Sequence, residues 1–297
     1  MQFHSLQFHS LQLDNVQFQS LQFQSLQFDN MQFDSVRSGI VPGREETAMR
    51  QDPFGRGQGT QGRRRGFNPR FLILIAAAAY GAYYWFSNQT VDPYTGESVL
   101  IDASITPTQE VAMGLQAYRD ILAQERPVDP DTPLARDVRA ISQRLIAKVP
   151  EVEAALAAES GQPPNRVWEH FAWDVNVIQS EQANAFCLPG GKMAVYTGLI
   201  DLVQGDGDMV AVVMGHEIAH ALLRHGAQRM SQQKLGQLGQ IAGAAGGLDP
   251  QQQQMMQAAM GYGFLLPYAR KHETQADEVG LMLAAAACFD PQDAVPL

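Results

Sequence analysis

The sequence predicts an α+β protein, mainly α, with a small sheet set among long helices. Three observations carry this. Helix start signals precede apolar stripes of helical spacing in the first half of the domain. Two stretches rich in β-branched and aromatic residues, 167–179 and 184–200, interrupt the helices. A long apolar helix then runs through "VVMGHEIAHALLRHG" (212–226), and another follows from about 267 to 289.

The chain has 297 residues, 45% of them hydrophobic, enough for a sizeable core. A formal net charge of −10, with no basic stripe carrying interleaved aromatics, excludes a general nucleic-acid binder. Cys187 and Cys288 are too few for a disulfide framework and lack CxxC spacing, so both read as small buried hydrophobes.

Residues 1–35 are seven pentads: MQFHS, LQFHS, LQLDN, VQFQS, LQFQS, LQFDN and MQFDS. A pentapeptide β-helix wants a small residue where Leu, Met or Val stands here, so a low-complexity tail is the better reading. Residues 1–48 are therefore set aside, with Met49 as a plausible native start. Residues 49–70 form an Arg/Gly-rich segment read as cytoplasmic. Arg63, Arg64, Arg65 and Arg70 directly precede the uncharged run FLILIAAAAYGAYYWF (71–86). Its 16 residues would make a helix of about 24 Å, a little under the ~30 Å hydrocarbon core. With basic residues before it and Tyr83, Tyr84 and Trp85 at its end, the run reads as an uncleaved transmembrane signal anchor. A buried core helix is the alternative.

The remaining domain, 91–297, opens with a turn at "DPYTGE" (92–97). "TPTQ" (106–109) places Thr at a cap, Pro at the first helical position and Gln three residues after the cap, so a helix should follow to about Leu122. A second Thr-Pro (132–133) starts a helix whose Leu134, Val138, Ile141, Leu145 and Val149 keep one stripe. "VWEHFAWDVNVIQ" reads as a strand, and "NAFCLPGGKMAVYTGLI" as strand, Pro-Gly-Gly turn and strand. A helix after "QGDGD" (204–208) is expected to continue unbroken to about Met230.

His216 and His220 are four residues apart on that helix and so share a face. Two imidazoles so placed can bind one metal ion, and zinc suits nitrogen ligands. Glu217, beside the first histidine, is placed to take a proton from water rather than to bind metal. The flanks, from Val210 to Leu223, are apolar, so the helix is buried. Buried polar groups without partners cost several kcal/mol, which a metal ion would offset; a purely structural His–Glu–His cluster is the alternative. A third ligand is required. In "HETQAD" (272–277), Glu273 can complete the site, and Asp277, four residues on, can hydrogen-bond the far nitrogen of a ligating histidine. An exposed charged face is the alternative for that pair. The spacing to His225 differs from the HExxHxxGxxH layout, so His225 reads as a surface residue or one that backs a ligand. His272 points about 100° away from Glu273 and is not taken as a ligand.

"NAFCLPGG" (184–191), "GHEIAH" (215–220) and "ETQAD" (273–277), in that order, resemble the zinc metallopeptidase family of the CAAX prenyl endopeptidase and the bacterial heat-shock protease HtpX. "TPTQEVAMGLQ" (106–116) adds to the likeness, which covers about residues 91–291. The branch it resembles most holds the mitochondrial overlapping-activity protease and the periplasmic outer-membrane-assembly chaperone-protease. The resemblance implies a zincin-type domain with one zinc on His216, His220 and Glu273, Glu217 as general base, and Asp277 behind a ligand. It further implies an extended substrate pairing along an edge strand that Asn184 leads into and that consists of Met193, Ala194, Val195 and Tyr196. Arg270 or Tyr268 is a candidate to steady the oxyanion. Relatives usually continue with more helices, so the ending "QDAVPL" is expected to be a truncated or frameshifted C-terminus.

The expectation is thus a membrane-anchored zinc endopeptidase that cleaves unfolded or extended polypeptides in quality control of envelope proteins. Its protease domain would face the periplasm at a bacterial inner membrane, or sit at the mitochondrial inner membrane in a eukaryote. A zinc-containing, chaperone-like binding protein that cuts little is the rival; an interaction protein built on the pentads is a more distant one.

Overall fold

The structure is a computed structural model that describes residues 70–294. The pentads, the Arg/Gly-rich segment, the Met49 start and the last three residues lie outside the described residues. The described chain opens with helix α1 (Arg70–Ser87) and a small hairpin of β1 (Gln89–Val91) and β2 (Ser98–Leu100), joined through the turn at 92–97. Helix α2 (Pro107–Gln124) starts at a capping box: the Thr106 side chain accepts from Gln109 N–H while the Gln109 side chain accepts from Thr106 N–H. Helix α3 (Pro133–Ile146) starts on Thr132, whose side chain accepts from Ala135 N–H, with Pro133 at the first helical position but no reciprocal bond. The stripe that includes Val149 is divided, because α4 (Val149–Ser160) begins a new helix there.

Three strands follow: β3 (Asp174–Ile178), β4 (Ala185–Leu188) and β5 (Lys192–Tyr196), in the order β3-β5-β4. β5 runs parallel to β3 with Val175 opposite Met193, and antiparallel to β4 with Cys187 opposite Met193. The Pro-Gly-Gly turn between β4 and β5 needs left-handed backbone at Gly190 (φ 88°) and Gly191 (φ 77°). Alternate residues of the sheet feed two cores. Val175, Val177, Ala185, Cys187, Met193 and Val195 face the main core, whereas Ile178, Phe186, Ala194 and Tyr196 meet Tyr118 and Ile121 of α2. A sheet covered on both faces needs largely apolar strands; β4 (AFCL) and most of β5 (KMAVY) are, whereas β3 (DVNVI) keeps Asp174 exposed and spends Asn176 on a hydrogen bond to the Tyr118 hydroxyl.

The short helix α5 (Thr197–Leu202) leads to α6 (Gly207–Leu222), the helix with the histidine pair. α7 (His225–Ala245), α8 (Pro250–Met260), a π-helical turn (Gly261–Leu265), α9 (Leu266–Ala286) and a 3₁₀ turn (Pro291–Ala294) follow among the described residues. α6 lies at its centre, against α9, α3 and β4.

Four expectations are corrected. The apolar run does form α1, but no helix among the described residues is long and apolar enough to cross a membrane. Tyr80, Gly81, Tyr83 and Tyr84 dilute the run, and part of its surface is taken by protein. Tyr84 is buried, donates to Asp102 Oδ2 at 3.0 Å and lies on α7, whose Lys234 pairs with the same carboxylate at 2.5 Å. The long histidine helix is broken: Arg224 adopts φ 55° and separates α6 from α7. Its guanidinium pairs with buried Glu110 of α2 at 3.1 Å and donates to Ile105 O, so a tertiary ion pair holds the break. The stretch expected as one strand from 167 begins instead as a 3₁₀ turn, Val167–His170, with Trp168 Nε1 donating to Glu153 at 2.5 Å. Finally, Met193–Tyr196 is not an edge strand. β5 is the central strand of three, and all four residues are 1% exposed.

Candidate metal centre

The site is built where α6 and α9 cross. α6 is capped by Asp206, whose side chain accepts from the N–H groups of Asp208 and Met209. Its Val210, Ala211, Met214, Ile218, Ala219 and Leu222 are buried, which fixes the helix face that carries His216 and His220. α9 approaches at Gly280. A Cβ there would lie 2.6 Å from His216 N, and one on Gly215 would lie 2.7 Å from Gly280 O. Only two glycines permit so close a crossing. Glu273 and Asp277 stand two turns and one turn before Gly280 on the same face of α9, so the crossing delivers both to the histidine pair.

The structure brings His216, His220 and Glu273 together, with one ligand atom from each within 4.8 Å of the others. His216 Nε2 lies 3.0 Å from His220 Nε2 and 3.4 Å from Glu273 Oε2; His220 Nε2 lies 3.6 Å from that oxygen. Ligand atoms about 2.0–2.1 Å from a tetrahedral zinc ion stand about 3.3 Å apart. The observed triangle brackets that value, and two nitrogens with one carboxylate oxygen are a donor set that zinc accepts. The residues fit the ion.

Asp277 Oδ1 accepts from His216 Nδ1 at 2.8 Å, which leaves the Nε2 lone pair for the triangle. Burial opposes a charged His216, but its hydrogen bonds to Asp277 and Glu273 outweigh this and raise its pKa to about 10. Burial likewise opposes charge on Glu273, yet the two histidines hold it well below the usual carboxylate range, so it is ionised. Glu217 is 9% exposed and does not join the triangle. Burial pushes its carboxyl up, against the pull of His220 and His216, and the Cys187 backbone N–H of β4 points to it.

The other expected residues lie beside β4 and on α9. Asn184 O accepts from Tyr196 N–H at 2.9 Å, so it extends the β4–β5 ladder. Arg270 is exposed. The ring of Tyr268 packs edge-on against Trp85 and His272, and His272 stands behind His225, with Gln228 Oε1 3.0 Å from its Nε2. Arg229, on the first turns of α7, is a further cation whose charge reaches both Glu217 and Glu273, although burial opposes its charge. Sequence reasoning missed it because the break at Arg224 redirects the helix. His225 is no surface residue: it is 1% exposed, and its Nδ1 lies 2.8 Å from His220 Nδ1.

Known proteins of similar sequence carry related names. The mitochondrial metalloendopeptidase OMA1 of Schizosaccharomyces pombe is 31% identical over 228 residues, 76% of this chain and 61% of the relative. The human mitochondrial metalloendopeptidase OMA1 is 38% identical over 126 residues, 40% of this chain and 24% of the relative. A putative beta-barrel assembly-enhancing protease of Vibrio cholerae is 29% identical over 196 residues, 63% of this chain and 37% of the relative. The chain therefore spans less than two thirds of the length of these relatives. The profile of peptidase family M48 matches residues 144–297, a range that takes in β4, α6 and α9 with every donor of the triangle, and the chain belongs to that family.

Proposed function

We propose that the chain is a zinc-dependent endopeptidase in which His216, His220 and Glu273 hold one zinc ion and Glu217 moves the proton. The observation that carries this is the donor triangle with a buried carboxylate beside it that is no part of the triangle, and a strand edge next to both. Bound zinc supplies Lewis acidity, which lowers the pKa of water and polarises a carbonyl. Glu217 is the proton carrier because it is a buried carboxylate beside the triangle that takes no part in it, placed to take a proton from water and return it to a leaving amine; burial also raises its pKa. The substrate is an extended polypeptide. It docks on β4 rather than β5: Asn184, Phe186 and Leu188 are spent on the β5 pairing, so Ala185 and Cys187 turn their backbone groups away from β5, where the Cys187 N–H meets Glu217 and the Ala185 groups and Cys187 carbonyl are left for the substrate.

The relatives' names point to mitochondria and to β-barrel assembly. From them we infer quality control of membrane or envelope proteins as the setting. Fractionation of native cells checks this, and recovery of the protein wholly apart from membranes would refute it. The mechanism is tested with Glu217→Gln, measured for zinc content and for cleavage of an unfolded protein. Zinc should stay near one per chain while turnover falls by about 10²–10⁴-fold or more. Turnover at the wild-type rate would end the proposed role of Glu217.

A further inference from the structure

His225, the first residue of α7, presents a buried imidazole with a partner at each nitrogen. Nδ1 lies 2.8 Å from His220 Nδ1, and Nε2 lies 3.3 Å from Gln275 Oε1. Its ring stacks on His272, with centroids 4.2 Å apart and planes 19° apart. Gln275 Nε2 donates in turn to Glu97 Oε2 at 2.5 Å, at the end of the β1–β2 turn, and Lys271 pairs with that oxygen at 3.0 Å.

The proton directions along this chain follow once His220 offers its Nε2 lone pair to a cation. His220 aims Nε2 at His216 Nε2 and Glu273 Oε2, so a neutral His220 that offers this lone pair to a cation carries its proton on Nδ1. Two Nδ1 atoms 2.8 Å apart share one proton between them. His225 Nδ1 is then the acceptor, and its own proton sits on Nε2, where Gln275 Oε1 accepts it. Gln275 is left with its amide N–H groups for Glu97, and a carboxylate is what its Nε2 meets. Each link has the polarity that the previous one requires.

We propose that His225 is the positioning residue for His220. Its Nδ1 fixes the tautomer and ring plane of His220, as Asp277 does for His216, and Gln275 and Glu97 fix His225. The two histidines of the triangle are thus backed differently, one by a carboxylate and the other by a neutral imidazole. This rests on the reading of His216, His220 and Glu273 as a metal centre.

The test is zinc affinity, by competition with a chromogenic chelator, for the wild type, His225→Phe and His225→Asn. Phe keeps a flat ring to stack on His272 but offers no acceptor. Asn gives up the ring and keeps an acceptor oxygen close to the place of Nδ1. The proposal expects Phe to weaken binding by about 10–100-fold, the usual cost of losing a ligand's partner, and Asn to stay within about threefold of wild type. Wild-type affinity in the Phe variant, or equal losses in both variants, overturns it. A packing role alone predicts the reverse order. Imidazole ¹⁵N spectra of the zinc-loaded wild type test the same point without any variant. They should place protons on His220 Nδ1 and His225 Nε2; a proton on His225 Nδ1 refutes the assignment. Wild-type protein that takes up no zinc overturns the metal-centre reading and the positioning role with it, whereas zinc uptake unaffected in the Phe variant overturns the positioning role alone.

Discussion

Gly280→Ala tests whether the helix crossing, and not only the ligand residues, makes the metal centre. The added Cβ would lie 2.6 Å from His216 N and 2.7 Å from His216 Cα, both backbone atoms of a buried helix that cannot step aside as a side chain would. Ordinary contact needs about 3.5 Å, so α9 must move off α6 by roughly 0.9 Å. Glu273 rides on α9 and the histidines on α6, so the same displacement opens the donor triangle. Zinc bonds of about 2.0–2.1 Å do not stretch by that amount. Zinc affinity should therefore fall by at least about 100-fold, beyond the usual effect of losing an indirect partner. Overpacking should lower stability by about 1–3 kcal/mol, short of unfolding the domain. Chelator competition reads the first quantity and denaturant melts of the metal-free protein read the second. Gly239→Ala is the control: nothing lies within 4 Å of its Cβ position, and in a helix interior the change should stabilise by up to about 1 kcal/mol. If Gly280→Ala binds zinc as wild type does, the crossing does not set the site and the reasoning is wrong.

Glu273→Ala should lose zinc outright, while Asp277→Ala should weaken it by about 10–100-fold and recover with excess metal; equilibrium dialysis separates the two, and identical behaviour would remove the distinction between ligand and partner. Asp92 offers a pH test away from the site. It is 6% exposed, and burial raises its pKa from 3.8 to about 6, against the N–H groups of Tyr94 and Thr95 that donate to it. A carboxyl raised on folding contributes most below its unfolded pKa, and that contribution is lost as pH rises through about 4 to 6. Asp92→Asn keeps the acceptor oxygen and abolishes the ionisation, so at pH 7 it should be more stable than wild type by on the order of 2 kcal/mol. The two proteins should converge near pH 4, and parallel stability curves from pH 4 to 7 would contradict this.

The local signals were legible because they are local. Thr106, Pro107 and Gln109 announce the start of α2 through a cap that involves only neighbouring residues. The four-residue spacing of His216 and His220, and that of Glu273 and Asp277, translates directly into shared helix faces. What was not legible depended on distant partners. The break at Arg224 carries no Gly or Pro; it is held by Glu110, 114 residues away in the chain. The 3₁₀ turn at 167–170 replaces β-like residues because Trp168 reaches Glu153. β5 is central because β3 pairs with it in parallel across the intervening β4, and no period in the sequence states a strand order. Spacing alone leaves His225 open between a surface residue and one that backs a ligand, because what buries it, Gln275 and His272, comes from α9 far along the chain. The apolar run of α1 was read for its composition, but its Tyr84 belongs to a polar contact with Asp102.

The central claim, that one zinc ion on this triangle drives peptide-bond cleavage, is tested most directly by stripping the full chain of metal and titrating zinc back while cleavage of an unfolded protein is followed. The account predicts that cleavage vanishes with the metal and returns in proportion to added zinc, levelling off at one ion per chain. Cleavage that survives complete metal removal, or a chain loaded with one zinc that cuts no peptide bond, would contradict it.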